Sequence, residues 1–229
     1  MQSLKNIFPF EPTSIQEEAM ELLSRFVYSS HMPSLFVLKG YAGTGKTTLI
    51  STFIKWLPKL GLKSVLTAPT GRAAKVLSNY SSKLAFTIHK QIYYHSYVEG
   101  RVLFTIQKNK YTNTVFIVDE ASMISDSGGI GSSFVSQKRT LLDDLVDYVY
   151  SGKNCRLIFV GDTAQLPPVG SSESPALNTA YLAARFPIQI DEIVLNQVTR
   201  QAKGSGILYN ATLLRNVLNE LPIKKLICY

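Results

Sequence analysis

The chain has 229 residues, 45% apolar and 17% charged, with a formal net charge of +8. That length allows one large domain or one and a half, and the apolar share excludes a disordered chain. No signal peptide or run of ~18 apolar residues occurs, and the two cysteines (Cys155 and Cys228) and three histidines lack metal-ligand spacing. The expectation is therefore a cytoplasmic protein with no membrane segment and no structural metal.

Charge is unevenly spread. Between Leu22 and Val98 there are ten Lys and Arg and no Asp or Glu, while acids return in a block at Asp143, Asp144 and Asp147. A solvated basic face would account for this, but a polyanion track fits the motifs below better.

The first dozen residues, with Pro9 and Pro12, are expected to be extended. Ser14-Ile15-Gln16-Glu17 offers a capping box, with Ser14 as N-cap, for an amphipathic helix over Thr13–Tyr28. Gln16 lies at its start, where a primary amide can both donate to and accept from an adenine edge, or simply be solvated. Leu35-Phe36-Val37-Leu38 then reads as a buried strand. It runs into Gly40-Tyr41-Ala42-Gly43-Thr44-Gly45-Lys46-Thr47, which fits G-x-x-x-x-G-K-[ST]. Thr48 to Leu57 carries the helix that such a loop requires. Backbone N–H groups and the helix N-terminus would meet phosphate oxygens, Lys46 the β- and γ-phosphates, and Thr47 a Mg²⁺ ion.

Lys63 to Ala68 is a second strand, ending in Pro69-Thr70-Gly71-Arg72-Ala73-Ala74-Lys75 at a helix start. This turn either grips a sugar-phosphate backbone through its Thr hydroxyl, backbone N–H groups, Arg72 and Lys75, or is an ordinary strand-to-helix turn. Thr87-Ile88-His89-Lys90 follows. Tyr93, Tyr94, His95, Tyr97, Phe104 and Tyr111 are then interleaved with Arg101, Lys108 and Lys110, around a hairpin turn at 98–102. Aromatics among bases suit stacking on single-stranded bases, and equally suit packing the hairpin on its domain.

Thr114 to Val118 is an apolar strand ending in Asp119-Glu120. Two acids at a buried strand end suggest a Mg²⁺ ligand, Asp119, and a base, Glu120, that polarises the attacking water. Residues 125–137, rich in Ser and Gly, read as a flexible loop, and Leu141, Leu142, Leu145, Val146 and Val149 as a helix stripe. Arg156 to Val160 is another strand, running into Gly161-Asp162-Thr163-Ala164-Gln165 and the stiff Pro167-Pro168. Gln165 is placed to sense the γ-phosphate. Ile193 to Leu195 is a last strand before Thr199-Arg200-Gln201, where Arg200 either adds charge to the γ-phosphate or is a surface arginine. Ile207 to Leu221 reads as a closing helix. Cys155 reads as a packed thiol.

Pro12–Gln16, Gly40–Thr48, Ala68–Ala74, Thr87–His89, Asp119–Met123, Gly161–Gly170 and Thr199–Gln201, in that order, resemble superfamily 1B DNA helicases of the RecD-like and Dda-like kind. The resemblance implies a three-layer α/β fold, a RecA-like phosphate-loop domain with a mainly parallel sheet. In it Arg156–Val160 should lie between the phosphate-loop strand and the acidic strand. It implies ATP and Mg²⁺ as cofactors and single-stranded DNA as partner, with 5′ to 3′ translocation. Gln16, the loop from Gly40 to Thr48, Lys46 and Thr47 would bind nucleotide. Thr47 and Asp119 would serve Mg²⁺, and Glu120, Lys46, Gln165 and Arg200 catalysis. Pro69, Thr70, Arg72, Thr87 and His89 would contact DNA, and an inserted hairpin over 90–113 would help part the duplex. Such motors hold ATP between two RecA-like domains. Residues 1–222 would be the first, 223–229 a tail and the second absent, so weak ATP hydrolysis and no unwinding by this chain alone are expected. A phosphate-loop ATPase acting on RNA or protein, or a nucleic-acid-binding module without turnover, are the alternatives.

Overall fold

Apolar runs of strand length alternate with amphipathic stretches, and this alternation becomes a layered sheet. The computed structural model describes residues 3–98, 101–126, 139–165, 168 and 173–197. The strands are β1 (Ser34–Gly40), β2 (Lys63–Ala68), β3 (Ala85–Thr87), β4 (Tyr93–Val98), β5 (Arg101–Ile106), β6 (Thr112–Val118), β7 (Lys153–Gly161) and β8 (Gln189–Leu195). The helices are α1 (Ser14–Tyr28), α2 (Lys46–Trp56), α3 (Gly71–Ser81), α4 (Ile88–Ile92), α5 (Leu141–Tyr150) and α6 (Thr179–Arg185). Six strands form one sheet in the order β3-β2-β6-β7-β1-β8, with every neighbouring pair parallel. The fold is the mainly parallel, RecA-like α/β architecture expected, and β7 lies between the phosphate-loop strand β1 and the acidic strand β6.

Central strands are buried on both faces, and their side chains divide with the period of two of a pleated strand. Phe36, Leu38, Val115, Ile117, Ile158 and Val160 pack with α1 and α2. Their neighbours Leu35, Val37, Phe116, Val118, Leu157 and Phe159 pack with α4, α5 and α6. Cys155 is fully buried, a packed thiol as read from sequence. Among the described residues no helix is long and apolar enough to cross a membrane.

Several boundaries differ from the sequence reading. The N-cap of α1 is Thr13 rather than Ser14, and the box closes with Gln16 rather than Glu17. Both pairs fit the same pattern. Thr13 prevails because Gln16 gains a second partner in the phosphate loop (below), while Glu17 pairs with Lys5 in solvent. Helix α2 starts at Lys46, directly from the glycine loop, rather than at Thr48. Strand β8 is longer than Ile193–Leu195. Its first half carries Asp191 and Glu192, polar residues that a sheet edge tolerates.

Strands β4 and β5 form a separate antiparallel hairpin, with Tyr93 opposite Ile106 and Val98 opposite Arg101. Its aromatics divide. Tyr93 is buried, its hydroxyl donating to Asp144 Oδ2 at 2.6 Å and its ring 5.8 Å from Phe104. Tyr111 packs edge-on against Phe116. Tyr94 points outward, 64% exposed. The expected closing helix Ile207–Leu221, the tail 223–229, most of the Ser/Gly loop (127–137), Tyr97's side chain, Pro167, Arg200 and Cys228 lie outside the described residues.

Candidate functional site

Parallel sheets gather their strand ends, and the loops beyond the carboxyl ends of β1, β6 and β7 converge. At the end of β1, Gly43 and Gly45 take φ of 78° and 86°, the left-handed region that glycine enters without steric cost. Gly40 is required for a different reason. A Cβ there would lie 2.9 Å from Thr44 Oγ1 and 3.0 Å from Leu195 of β8. Thr44 is buried and its hydroxyl donates to the Tyr41 carbonyl at 2.8 Å, holding the loop's curl. Ala42 and Thr47 are exposed, while Tyr41 and Thr48 are half-buried. Lys46 Nζ donates to the carbonyls of Gly40 at 2.6 Å and Tyr41 at 2.9 Å. The ammonium thus lies back over the loop.

Gln16 stands against the same loop. Its amide nitrogen donates to the Thr44 carbonyl at 2.9 Å, its oxygen accepts from Thr13 N–H at 3.0 Å, and the residue is only 2% exposed.

Across the gap, Asp119 continues β6, its N–H donating to the Thr67 carbonyl at 3.0 Å. Burial raises its carboxyl above the usual range, against the opposing pull of the Tyr80 hydrogen bond, the Glu120 N–H and Lys46. Glu120 adopts φ 54°, a left-handed conformation costly for a side-chain-bearing residue and concentrated at functional sites. Its carboxyl is raised by burial and by Asp119, and eased by Gln165 and Lys46. Two desolvated carboxylates facing one ammonium form a site short of positive charge.

Gln165, in the turn after β7, completes the group. Its Oε1 accepts from Ser122 Oγ at 2.8 Å, and its side chain also hydrogen-bonds Glu120. The turn that carries it is locked by Asp162, whose Oδ1 accepts from Ala164 N–H at 2.8 Å. Lys46, Asp119, Glu120 and Gln165, read from three separate segments, therefore meet. Tyr80 and Ser122 were not assigned roles from the sequence. Ser122 lies inside the Asp119–Met123 stretch, whereas Tyr80 carries no spacing signal.

Among the described residues no cluster of three or more His, Cys, Asp or Glu could cage a metal. An exposed Thr47 hydroxyl and one carboxylate, Asp119, suit Mg²⁺, which keeps several waters and takes its remaining ligands from phosphates.

The residues expected along nucleic acid lie at the opposite half of the same edge. Ala68 pairs with Thr87, so Pro69–Thr70 and Thr87–His89 leave the sheet side by side. Thr70 and Thr87 are N-caps, accepting from Ala73 N–H and Lys90 N–H, each at 3.2 Å. Their lone pairs are partly spent on the helices they start. Arg72 and Lys75 are exposed. His89 stacks obliquely on Tyr93 at 5.7 Å, and burial lowers its pKa. A groove of about 480 Å³ is lined by residues of both regions, Thr70 and Arg72 together with Asp119, Glu120, Met123 and Gln165.

Residues 25–171 match the AAA_19 family, an AAA domain. The chain is 33% identical over 183 residues to the ATP-dependent RecD2 DNA helicase of Deinococcus radiodurans, covering 77% of this chain and 21% of that protein. It is 34% identical over 153 residues to the ATP-dependent DNA helicase dda of Enterobacteria phage T4, covering 65% and 30%. Pif1 helicase from Candida albicans superposes with a TM-score of 0.57 at 24% identity, over 93% of this chain and 46% of that one, a likeness of fold. The chain thus spans only 13% to 38% of the length of the first curated relatives it matches. With the phosphate loop, the acidic pair and the glutamine on one sheet edge, the chain belongs to the AAA-domain family, as a superfamily 1B helicase-like first motor domain.

Proposed function

We propose that this chain is the ATP-binding motor domain of a DNA helicase that moves 5′ to 3′ on single-stranded DNA. The observation that carries the nucleotide half is the convergence of Lys46, Asp119, Glu120 and Gln165. In this reading Gly40 to Thr48 wraps the triphosphate, and Lys46 leaves the Gly40 and Tyr41 carbonyls for the β- and γ-phosphates. Thr47 and Asp119 would hold Mg²⁺, which supplies charge neutralisation between the phosphates when bound. Glu120 takes the proton of the attacking water, its raised carboxyl making it a better base. Gln165, tied to both Ser122 and Glu120, reports the γ-phosphate to the 161–165 turn, and Arg200 adds charge there. Gln16 meets adenine by exchanging its bond to the Thr44 carbonyl for one to the base.

The DNA half rests on the basic, acid-free stretch and on the pairing that sets Pro69 and Thr70 beside Thr87 and His89. Arg72 and the helix starts at Thr70 and Thr87 contact phosphates, which position without reading sequence. We expect residues 1–229 by themselves to turn ATP over slowly and not to unwind, since the matched stretch makes up only 21% and 30% of the two DNA helicases they resemble.

Equilibrium binding of a fluorescent ATP analogue to the wild type and to Lys46→Ala tests the nucleotide half. Binding should be lost in the variant, and unchanged affinity ends the ATP reading. Competition between single-stranded DNA and RNA, with and without a non-hydrolysable analogue, tests the other half. Preference for RNA, or indifference to both, would favour an ATPase with another substrate.

A further inference from the structure

Asp119 is held by a side chain outside every motif. In the last turns of α3 the Tyr80 hydroxyl donates to Asp119 Oδ2 at 2.7 Å, across 39 residues of sequence. The same residue is fixed through its backbone, because Ser51 Oγ on α2 donates to the Tyr80 carbonyl at 3.1 Å. Its ring packs at the edge of the core formed by α1, α2 and the sheet. A phenol, protonated at neutral pH, donates its single proton in one direction. It therefore fixes the rotation of the carboxylate about its last bond. Helix α2, the element that anchors Tyr80, also begins with Lys46 and Thr47, so the anchor and the phosphate loop share one rigid body.

We propose that Tyr80 is a positioning residue for the nucleotide-bound Mg²⁺, holding Asp119 in one orientation toward the cation. The inference rests on the assignment of Asp119 as the metal's carboxylate. Groups that orient a metal ligand without touching the metal typically set its affinity by 10–100-fold, since a free carboxylate must first be ordered.

The test titrates Mg²⁺ against binding of a fluorescent ATP analogue to wild type, Tyr80→Phe and Tyr80→Met. Both variants remove the donor while retaining apolar bulk. The Mg²⁺ concentration giving half of the affinity gain should rise roughly tenfold or more in each, while affinity in EDTA and the far-UV spectrum stay as in wild type. In an Asp119→Asn background, Tyr80→Phe should add no further shift. An unchanged Mg²⁺ midpoint, or the same shift persisting without the Asp119 carboxylate, overturns the proposal. If Tyr80→Phe does not fold, Tyr80→Met carries the comparison. Failure of the wild type to bind the analogue at any Mg²⁺ concentration would strike the ATP reading instead.

Discussion

At Glu120 the backbone turns left-handed with φ 54°, a conformation that costs a side-chain-bearing residue about 1–3 kcal/mol. The surrounding bonds hold it there, so an isosteric change alters chemistry without altering that cost. Glu120→Gln should bind ATP as the wild type does and release phosphate about 10²–10⁴-fold more slowly, measured by steady-state phosphate release beside equilibrium binding. Gly45 has the opposite character, with φ 86° and no side chain. Gly45→Ala should lower stability by about 1–2 kcal/mol in urea unfolding, besides disturbing the loop. Spacing alone pointed to Lys46, Asp119 and Glu120, because each follows a strand or opens a helix where its charge has no structural purpose, and to Gln165 as a polar residue in the turn after β7. It did not reveal Tyr80, which looks like any aromatic on an amphipathic helix. Nor did it reveal that the Gln16 amide is engaged by Thr13 and Thr44.

Helix α5 shows what an element gains from its cap. Thr140 accepts from Asp143 N–H at 3.2 Å and Asp143 Oδ2 accepts from Thr140 N–H at 2.9 Å, while Arg185 donates to both Asp143 oxygens. Burial alone would push the Asp143 carboxyl up, but Arg185 and Thr140 outweigh it and hold the value down at about 2. A depressed folded value stabilises the protein above the unfolded value of about 3.9, and that contribution is lost as pH falls toward 2. Asp143→Asn should therefore melt below the wild type at pH 6, with the difference closing between pH 4 and pH 2 in thermal scans. At the other end of the fold, Arg156 is buried and donates to the carbonyls of Phe26 and Ser29 at the end of α1 and to Asn154. Arg156→Met leaves those two carbonyls without the donor, at about 1–3 kcal/mol each if water cannot enter, read by chemical denaturation. Element types followed from apolar period, whereas boundaries depended on competition. Thr13 displaced Ser14 as cap through a contact 28 residues beyond Gln16, which no local pattern contains.

For the molecule as a whole, the net charge of +8 is concentrated where acids are missing. If the Thr70–His89 edge carries DNA, affinity should fall steeply with salt, and Arg72→Ala should reduce the slope of log affinity against log salt by about one. Fluorescence anisotropy with a labelled oligonucleotide over several salt concentrations measures both. The layering was legible because buried parallel strands read as unbroken apolar runs, whereas the place of β7 between β1 and β6 came from the helicase resemblance and from no local pattern. The sheet's edges were less legible, since β8 mixes acids with apolar residues. Strand order also sets a length. With β7 intervening between β1 and β6, the strand that leads into the phosphate loop and the strand that leads to the acids lie two spacings apart, about 10 Å. The backbone ladder thus dictates how far the side chains from the two segments must reach to act on one another, and Lys46 already does so on Asp119 and Glu120.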